Sequence, residues 1–410
     1  MSNKQRIAFL CHPYHRGGVT RWMADAAIAF AKSGFEVYFI TVEPTKEFYS
    51  AKGRETLLQL LAKESSTINI LKANAGSEFE FGTNEYRAYV YSKQLSQLPV
   101  GTPVVLSDDS AVWEAAVSLY RSYPIIGVLH ADEEQYYLLA EKYCRQVAAL
   151  VCVSYRVNKN TQKRVPEFDK AHLATIPCGI NLPDVTNGVS GNSVLQLVYV
   201  GRVSDYQKRT GDLVHICRLL TSKNVSYHLT VIGDGEARPS LESSFKENGL
   251  TRNVTFSGWL SQQEVSACLS RSDILLLTSD FEGMPIAMME ALAAGCAVVG
   301  TRVSGIEDYE YHPLAADCLS AFTVGDIEDA VSKINELANR PSGIRQQTAR
   351  KLAEAEFSIQ VCLEKYQKVM AAIKTTSEAA TVDNLPLHKR LYSNLLSIAR
   401  NIKVSLSKQA

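Results

Sequence analysis

The sequence predicts an α/β chain built from two doubly wound parallel-sheet domains, and three observations predict it. Short apolar runs alternate with helical patterns along most of the chain, which places helices on both faces of a parallel sheet. The alternation stops in a polar, glycine-bearing stretch, DVTNGVSGNS, and begins again at Leu195. At 410 residues the chain is too long for one ordinary core and long enough for two.

In the first domain, residues 1–182, Arg6 to Cys11 (RIAFLC) reads as a buried strand. HPYHRGGVT follows, then a helical run from about Arg21 to Lys32 that stops near Gly34. Gly17 and Gly18 let backbone approach a ligand closely, and the helix start behind them favours an anion; a purely structural turn is the other reading. Glu36 to Thr41, Ile68 to Leu71 and Pro103 to Leu106 are further strands. Ile125 to Leu129 is a strand that runs straight into His130, Ala131 and Asp132. In an open α/β sheet that end faces the ligand side, so His130 is a candidate functional group, with a packed structural histidine as the alternative. Ala149 to Val153 ends at Ser154, and Ala174 to Ile176 leads into PCGIN, where Pro177 and Gly179 mark a turn before the boundary.

The second domain, residues 183–342, repeats the pattern. Leu195 to Val200 is a strand, and the loop after it carries Arg202, Lys208 and Arg209 before a helix from about Thr210 to Leu220. Cations beside a helix start suit a phosphate; a solvated basic loop is the bland alternative. Tyr227 to Ile232, Asn253 to Phe256, Asp273 to Thr278 and Ala297 to Val299 complete the second sheet. Trp259, just after the strand ending at Phe256, reads as a buried core residue, with a place beside a bound ligand's base as the alternative. A long helix from about Gly343 to Ile373, within residues 343–375, is expected next.

Ser279 to Val299 (SDFEGMPIAMMEALAAGCAVV) organises this half. Pro285 suits a helix start and Gly295 the position just past its end, so the helix runs from about Pro285 to Ala294. Amides near Gly283 and Met284 favour an anion above the strand ends. Glu282 stands at the mouth of that site and Glu290 within the helix, separated by at most about 12 Å at the helical rise. That span fits two polar ends of one elongated ligand with its anion in the middle. A surface glutamate and a helix glutamate flanking an ordinary turn is the other reading.

Bulk numbers exclude several classes. The 43 basic and 43 acidic residues cancel, which argues against a nucleic-acid binder and leaves electrostatic function to local patches. Nine scattered cysteines with no CxxC read as reduced, mostly buried thiols of a cytoplasmic protein. The N-terminal MSNKQRIAFL has no long apolar segment, so secretion is not expected, and no run is long enough to span a membrane. Residues 376–410 read as a linker, TTSEAATVDN, and a tail. From Leu387 the tail carries Lys389, Arg390, Arg400, Lys403 and Lys408 and no acid, with Leu391, Leu395, Ile398 and Ile402 at helical spacing. Such a helix suits peripheral contact with an anionic membrane on its inner face, or a groove on a partner; a solvated terminus is the alternative.

Four stretches together carry a family likeness: YVGRVSDYQKR at 199–209, VIGDGEARPSLE at 231–242, VTFSGWL at 254–260, and LLLTSDFEGMPIAMMEALAAGCAVVGTRVSGIEDY at 275–309. The second half resembles the retaining nucleotide-sugar glycosyltransferases of the GT-B fold, glycosyltransferase family 4 (glycosyl transferases group 1). The first half matches more loosely, through the Gly-Gly turn, LHAD at 129–132, VCVS at 151–154 and IPCGIN at 176–181. The likeness covers roughly residues 5–370 and leaves out the tail.

The resemblance implies two Rossmann-like domains facing a cleft, a final helix crossing back to the first, and donor binding mainly in the second. It implies that Arg202 and Lys208 hold the diphosphate, Glu290 the ribose and Glu282 the transferred sugar. Gly283, Met284 and Pro285 would line the sugar or phosphate. His130 would reach the sugar, and Gly17 and Gly18 would pack near the phosphate and acceptor. The expected reaction moves a sugar from a nucleoside diphosphate sugar to a saccharide or lipid-linked acceptor, as in cell-surface polysaccharide synthesis. No metal and no other cofactor are expected. A non-catalytic nucleotide-sugar-binding protein and a phosphorolytic enzyme of the same fold are the rivals. Where the family often has Gly-Gly-x-x-Glu, this chain departs with Ser304, Gly305, Ile306, Glu307 and Asp308.

Overall fold

A computed structural model describes residues 4–12, 18–43, 61, 67–74, 79, 82–183, 194–374, 378–384 and 386–407, with Glu43, Asn74, Leu387 and the last seven by backbone alone. The first sheet takes β1 (Arg6–Leu10), β2 (Glu36–Glu43), β3 (Ile68–Asn74), β4 (Val104–Leu106), β5 (Ile125–Leu129), β6 (Ala149–Cys152) and β7 (Leu173–Thr175). Its spatial order is β3-β2-β1-β4-β5-β6-β7, with every pairing parallel. The order reverses between β1 and β4, and in a doubly wound sheet ligands collect beyond the strand ends at such a point. Its helices are α1 (Gly18–Lys32), α2 (Asn84–Leu95), α3 (Ser110–Val117), α4 (Glu134–Tyr143) and α5 (Tyr155–Arg164). Thr83, Asp109 and Ser154 cap the starts of α2, α3 and α5 by accepting from backbone amides. The helical run after the Gly-Gly turn therefore begins at Gly18, three residues earlier than the apolar spacing suggested.

The second sheet takes β8 (Leu195–Val200), β9 (Tyr227–Ile232), β10 (Val254–Gly258), β11 (Ile274–Leu277), β12 (Ala297–Thr301) and β13 (Leu319–Phe322), in the order β10-β9-β8-β11-β12-β13 and again parallel. β13 is an edge strand of only LSAF, too short to stand out from the sequence around it. The helices are α6 (Asp212–Ser222), α7 (Arg238–Glu247), α8 (Gln262–Leu269), α9 (Ile286–Ala294), α10 (Ile327–Ala338), α11 (Ser342–Glu356), α12 (Ile359–Ala372) and, at the end of the described chain, α13 (Leu387–Ser407). α9 starts one residue later than expected, with Pro285 as its extended N-cap rather than its first helical residue, and Gly295 closes it as expected in the left-handed region at φ 83°.

The expected single helix from Gly343 to Ile373 is two helices. Ser358 accepts from the Val361 amide and caps α12 afresh, while Phe357 ends α11. Backbone groups freed by the break are paired: Ile180 N donates to Phe357 O and Ile359 N to Ile180 O, both at 2.8 Å. Gly179 makes this crossing possible, since a Cβ there would lie 2.8 Å from the Ile359 Cα. α11 packs on α9 of the second domain and α12 on α1 of the first. The break is the point where the chain changes domain, and a straight helical pattern carries no sign of it. Trp22 and Tyr366, with centroids 5.9 Å apart, join a buried apolar cluster that contains residues of both sheets.

Candidate functional site

β11 delivers the site. Its four residues are fully buried, and the chain leaves them through Thr278 and Ser279, whose conformations are fixed from both sides. Thr278 Oγ1 donates to Lys208 O at 2.7 Å, Asp280 N to Gln207 O at 2.8 Å, and Thr301 Oγ1 to Ser279 O at 2.6 Å. These bonds bring the basic loop after β8 against the turn before α9. There Lys208 Nζ donates to Glu282 Oε1 at 2.5 Å and Ser279 Oγ donates to the same oxygen at 2.6 Å. Glu282 is buried and its carboxylate is matched by one cation and one hydroxyl, as a buried charge must be.

Arg202, also expected at the phosphate, is held differently. Tyr199 Oη donates to its carbonyl at 2.7 Å, but its side chain is exposed and makes no hydrogen bond or ion pair among the described residues. Arg209 is occupied by Asp212 at 2.9 Å and Asp280 at 3.3 Å, so it braces the loop.

The first domain reaches this cluster through backbone. Ala131 and Gly283 form an isolated antiparallel bridge, and Asp132 N donates to Glu282 O at 3.1 Å. A Cβ on Gly283 would lie 1.8 Å from His130 O, so only glycine fits between the domains there. Met284 and Pro285 are buried behind it. Gly18, at the start of α1, lies against Ile286 at the start of α9, bringing the two helix starts together. Gly17 is outside the described residues.

The His130 ring is packed by Trp22, centroids 5.3 Å apart, and by Tyr136 at 6.4 Å. Among the described residues neither ring nitrogen has a hydrogen-bond partner of ordinary geometry. Burial pushes its pKa down to about 3, and the nearby Leu106 backbone offsets this only slightly. His130 is therefore held as a neutral imidazole, and its backbone adjoins the turn that carries Glu282.

Glu290 sits eight residues along the chain in a different setting. Burial raises its pKa to about 7, opposed chiefly by Arg21 of α1. Arg21 also pairs with Asp25 at 2.7 Å and reaches the Gln262 side chain at the start of α8. Arg21 was not singled out from the sequence; its i,i+4 pairing with Asp25 was the available signal. Trp259, expected in the core, is 55% exposed just past β10. The strand ends at Gly258 with φ 67°, which turns the following side chain out of the sheet.

The loop that departs from the expected Gly-Gly pattern ties the domains together. Ser304 Oγ lies 2.6 Å from Ser154 Oγ and 3.1 Å from Gly283 O. Tyr155 N donates to Asp308 Oδ2 at 2.7 Å, and the Arg156 guanidinium clasps Glu307. A cavity of about 520 Å³ opens beside this latch, lined by Arg156, Lys159, Glu307 and Asp308 among others. Among the described residues no group of three or more His, Cys, Asp or Glu side chains is placed to hold a metal.

Solved structures share this fold. TarM of S. aureus, as a mutant in complex with Fondaparinux, alpha-GlcNAc-glycerol and UDP, superposes with a TM-score of 0.70 at 12% identity, over 90% of this chain and 100% of that one. HepE of Anabaena in complex with UDP and glucose gives 0.69 at 13% identity, over 90% and 100%. The fold is GT-B.

Residues 195–340 match the family model described as Glycosyl transferases group 1. An alpha-1,4-N-acetyl-D-galactosaminyltransferase of Campylobacter jejuni, whose name carries a saccharide on PP-undecaprenol, is 22% identical over 90% of this chain and 99% of its own length. The amylovoran biosynthesis glycosyltransferase AmsK of Erwinia amylovora is 32% identical, but over 29% of this chain and 30% of its own. Together these likenesses support a glycosyltransferase of the GT-B superfamily.

Proposed function

We propose that this chain is a retaining glycosyltransferase that moves a sugar from a nucleoside diphosphate sugar to an acceptor hydroxyl. The acceptor is a saccharide or lipid-linked saccharide destined for a cell-surface polysaccharide or glycolipid. The observation that carries the reading is the Lys208–Glu282–Ser279 cluster, buried where the first domain's His130–Asp132 backbone closes on it.

In this reading the donor diphosphate lies along the start of α9, and Arg202, exposed and uncommitted, moves onto it. Lys208 shares its charge between the diphosphate and Glu282. Glu282 accepts hydroxyls of the transferred sugar, and Glu290 accepts the ribose hydroxyls. As the bond from the anomeric carbon to the diphosphate oxygen breaks, charge grows on the leaving oxygens. Preorganised cations and amides stabilise that charge without a metal, each donor being worth about 2.7–4 kcal/mol. The leaving oxygen takes the acceptor's proton while the acceptor oxygen attacks the same face. The neutral His130 ring offers a donor or acceptor to the sugar without adding charge.

UDP in the TarM and HepE complexes supports uridine nucleotides as the first donors to try. The Campylobacter relative supports a lipid diphosphate acceptor. Free thiols at all nine cysteines suit the reducing cytoplasm, where such donors are made available.

The test is a panel of nucleoside diphosphate sugars and lipid-linked saccharides with the purified full-length protein, read by product mass and by NMR of the new anomeric centre. Transfer with the donor's anomeric configuration kept is expected. An inverted product overturns retention; donor binding with neither transfer nor hydrolysis overturns the enzyme.

A further inference from the structure

The C-terminal helix is inside out. Ser393 and Ser397 are 0% and 1% exposed, while Leu391, Tyr392, Leu395 and Ile398 range from 53% to 66% and Leu396 is half-buried. Thr83 N, the cap of α2, donates to Ser393 Oγ at 3.0 Å, and Lys389 pairs with Glu85 at 3.2 Å. The linker before the helix is pinned as well, with Ala380 and Val382 packed on the first domain's core and Lys93 Nζ near Val382 O at 3.5 Å. α13 is thus fixed to the first domain by its polar side, and it presents an apolar stripe outward. A helix merely completing the core would be turned the other way.

The charges say what covers the stripe. The chain as a whole is neutral, yet the segment from Leu387 onward carries Lys389, Arg390, Arg400, Lys403 and Lys408 and no acid. An apolar face accompanied by cations alone fits a surface that is both apolar and anionic. The helix cannot cross a membrane, because no helix among the described residues is long and apolar enough; at about 1.5 Å per residue it would lie along the surface for about 30 Å. We infer that α13 is a docking helix for the surface of an anionic phospholipid bilayer.

Its position gives the docking a use. α13 meets the start of α2, and α2 starts beside α3, where Ser110 Oγ donates to Asn84 Oδ1 at 3.2 Å. α3 follows the end of β4 that faces the cleft. Through these contacts α13 is joined to the cleft side of the first domain, where a lipid-linked acceptor would arrive. The docking stands without the transferase reading; only this use of it rests on that reading.

The experiment is flotation of the full-length protein with vesicles of phosphatidylcholine alone or mixed with phosphatidylglycerol, at low and high salt. Binding to the mixed vesicles only, weakened by salt, is expected. Combining Leu391→Ser, Leu395→Ser and Ile398→Ser should lower binding by about tenfold or more, since partitioning follows apolar area. Arg390→Ala should lower it by about fivefold. Both variants keep their melting midpoint and their thermal shift with UDP, because every changed side chain is exposed. Absent binding of the unaltered protein to anionic vesicles overturns the inference, as does a triple variant that floats like it. A triple variant that only converts a dimer to a monomer also overturns it, and assigns the stripe to a second copy. Loss of the UDP shift in the unaltered protein would instead count against the transferase reading and leave the docking result standing.

Discussion

The two domains come to the cleft with different chemistry. The second brings charge: Lys208 on Glu282, an exposed Arg202, and Glu290, which burial leaves to ionise only near pH 7. Near Glu282 the first brings neutral groups and backbone, an imidazole pushed down to about 3, the Ala131 bridge, the Asp132 amide and the Gly18 turn, while its Arg21 acts at the Glu290 end. Charged groups can grip a nucleotide in an open cleft. Neutral ones add nothing until the domains meet, so binding belongs to one half and completion of the site to both.

Substitutions on each side sharpen or break that division. The largest effect is expected from Arg202→Ala and Lys208→Ala, with turnover down about 100- to 1,000-fold in each. Arg202→Ala should leave the melting midpoint unchanged, whereas Lys208→Ala should lower it, because Glu282 is left buried with only Ser279. Turnover near the unaltered rate in either variant removes the diphosphate assignment. Next is Gly283→Ala, whose Cβ would sit 1.8 Å from His130 O. Displacement of about 1 Å costs roughly 100-fold in rate, and calorimetry should show nucleotide affinity nearly intact. A parallel loss of affinity would mean that closure and binding are not separable.

His130→Ala should slow turnover by at least about tenfold. Its pKa is lowered on folding, so the unfolded chain takes the proton first as pH falls; the histidine's contribution to stability is complete above about 6.5 and is lost toward 3. Acid unfolding curves of the variant should lack that loss, and kcat of the unaltered enzyme should show no histidine titration between pH 5 and 8. The Glu290 shift has the opposite sign. Its raised pKa means that stability falls as pH rises from about 4.5 to about 7. Ionisation over the same range improves it as a ribose acceptor, so nucleotide affinity should rise from pH 6 to 8, and Glu290→Gln should flatten that rise. The smallest effect is expected from Ser304→Gly, which removes one hydrogen bond across the cleft, to Ser154, and one within the second domain, to Gly283 O; a few-fold loss in kcat, about 1 kcal/mol, is the expected size.

The same division runs through what the sequence disclosed. Strand–turn–helix order, Pro285, Gly295 and the glutamate pair were readable because they are local features with local physical causes. The Lys208–Glu282 pair joins residues 74 apart and was foreseen only as two separate roles. The break between α11 and α12 was not legible, since its cause is Ile180 crossing from far away in the chain. Nor was the latch, because Ser154, Arg156 and Tyr155 look like an ordinary helix start until Ser304, Glu307 and Asp308 are brought to them. The tail was readable as amphipathic, but the direction of its apolar face was not: periodicity fixes which residues share a side and leaves open which side is docked.

Glu282→Gln provides the most direct test of the central claim, that the buried carboxylate between the two domains handles the transferred sugar. Calorimetry with a nucleoside diphosphate and single-turnover transfer from the matching nucleotide sugar would be measured on the same preparation. The expected result is nucleoside diphosphate affinity close to that of the unaltered protein with transfer at least about 100-fold slower. Transfer at the unaltered rate, with the new glycosidic bond in the same configuration, would contradict it.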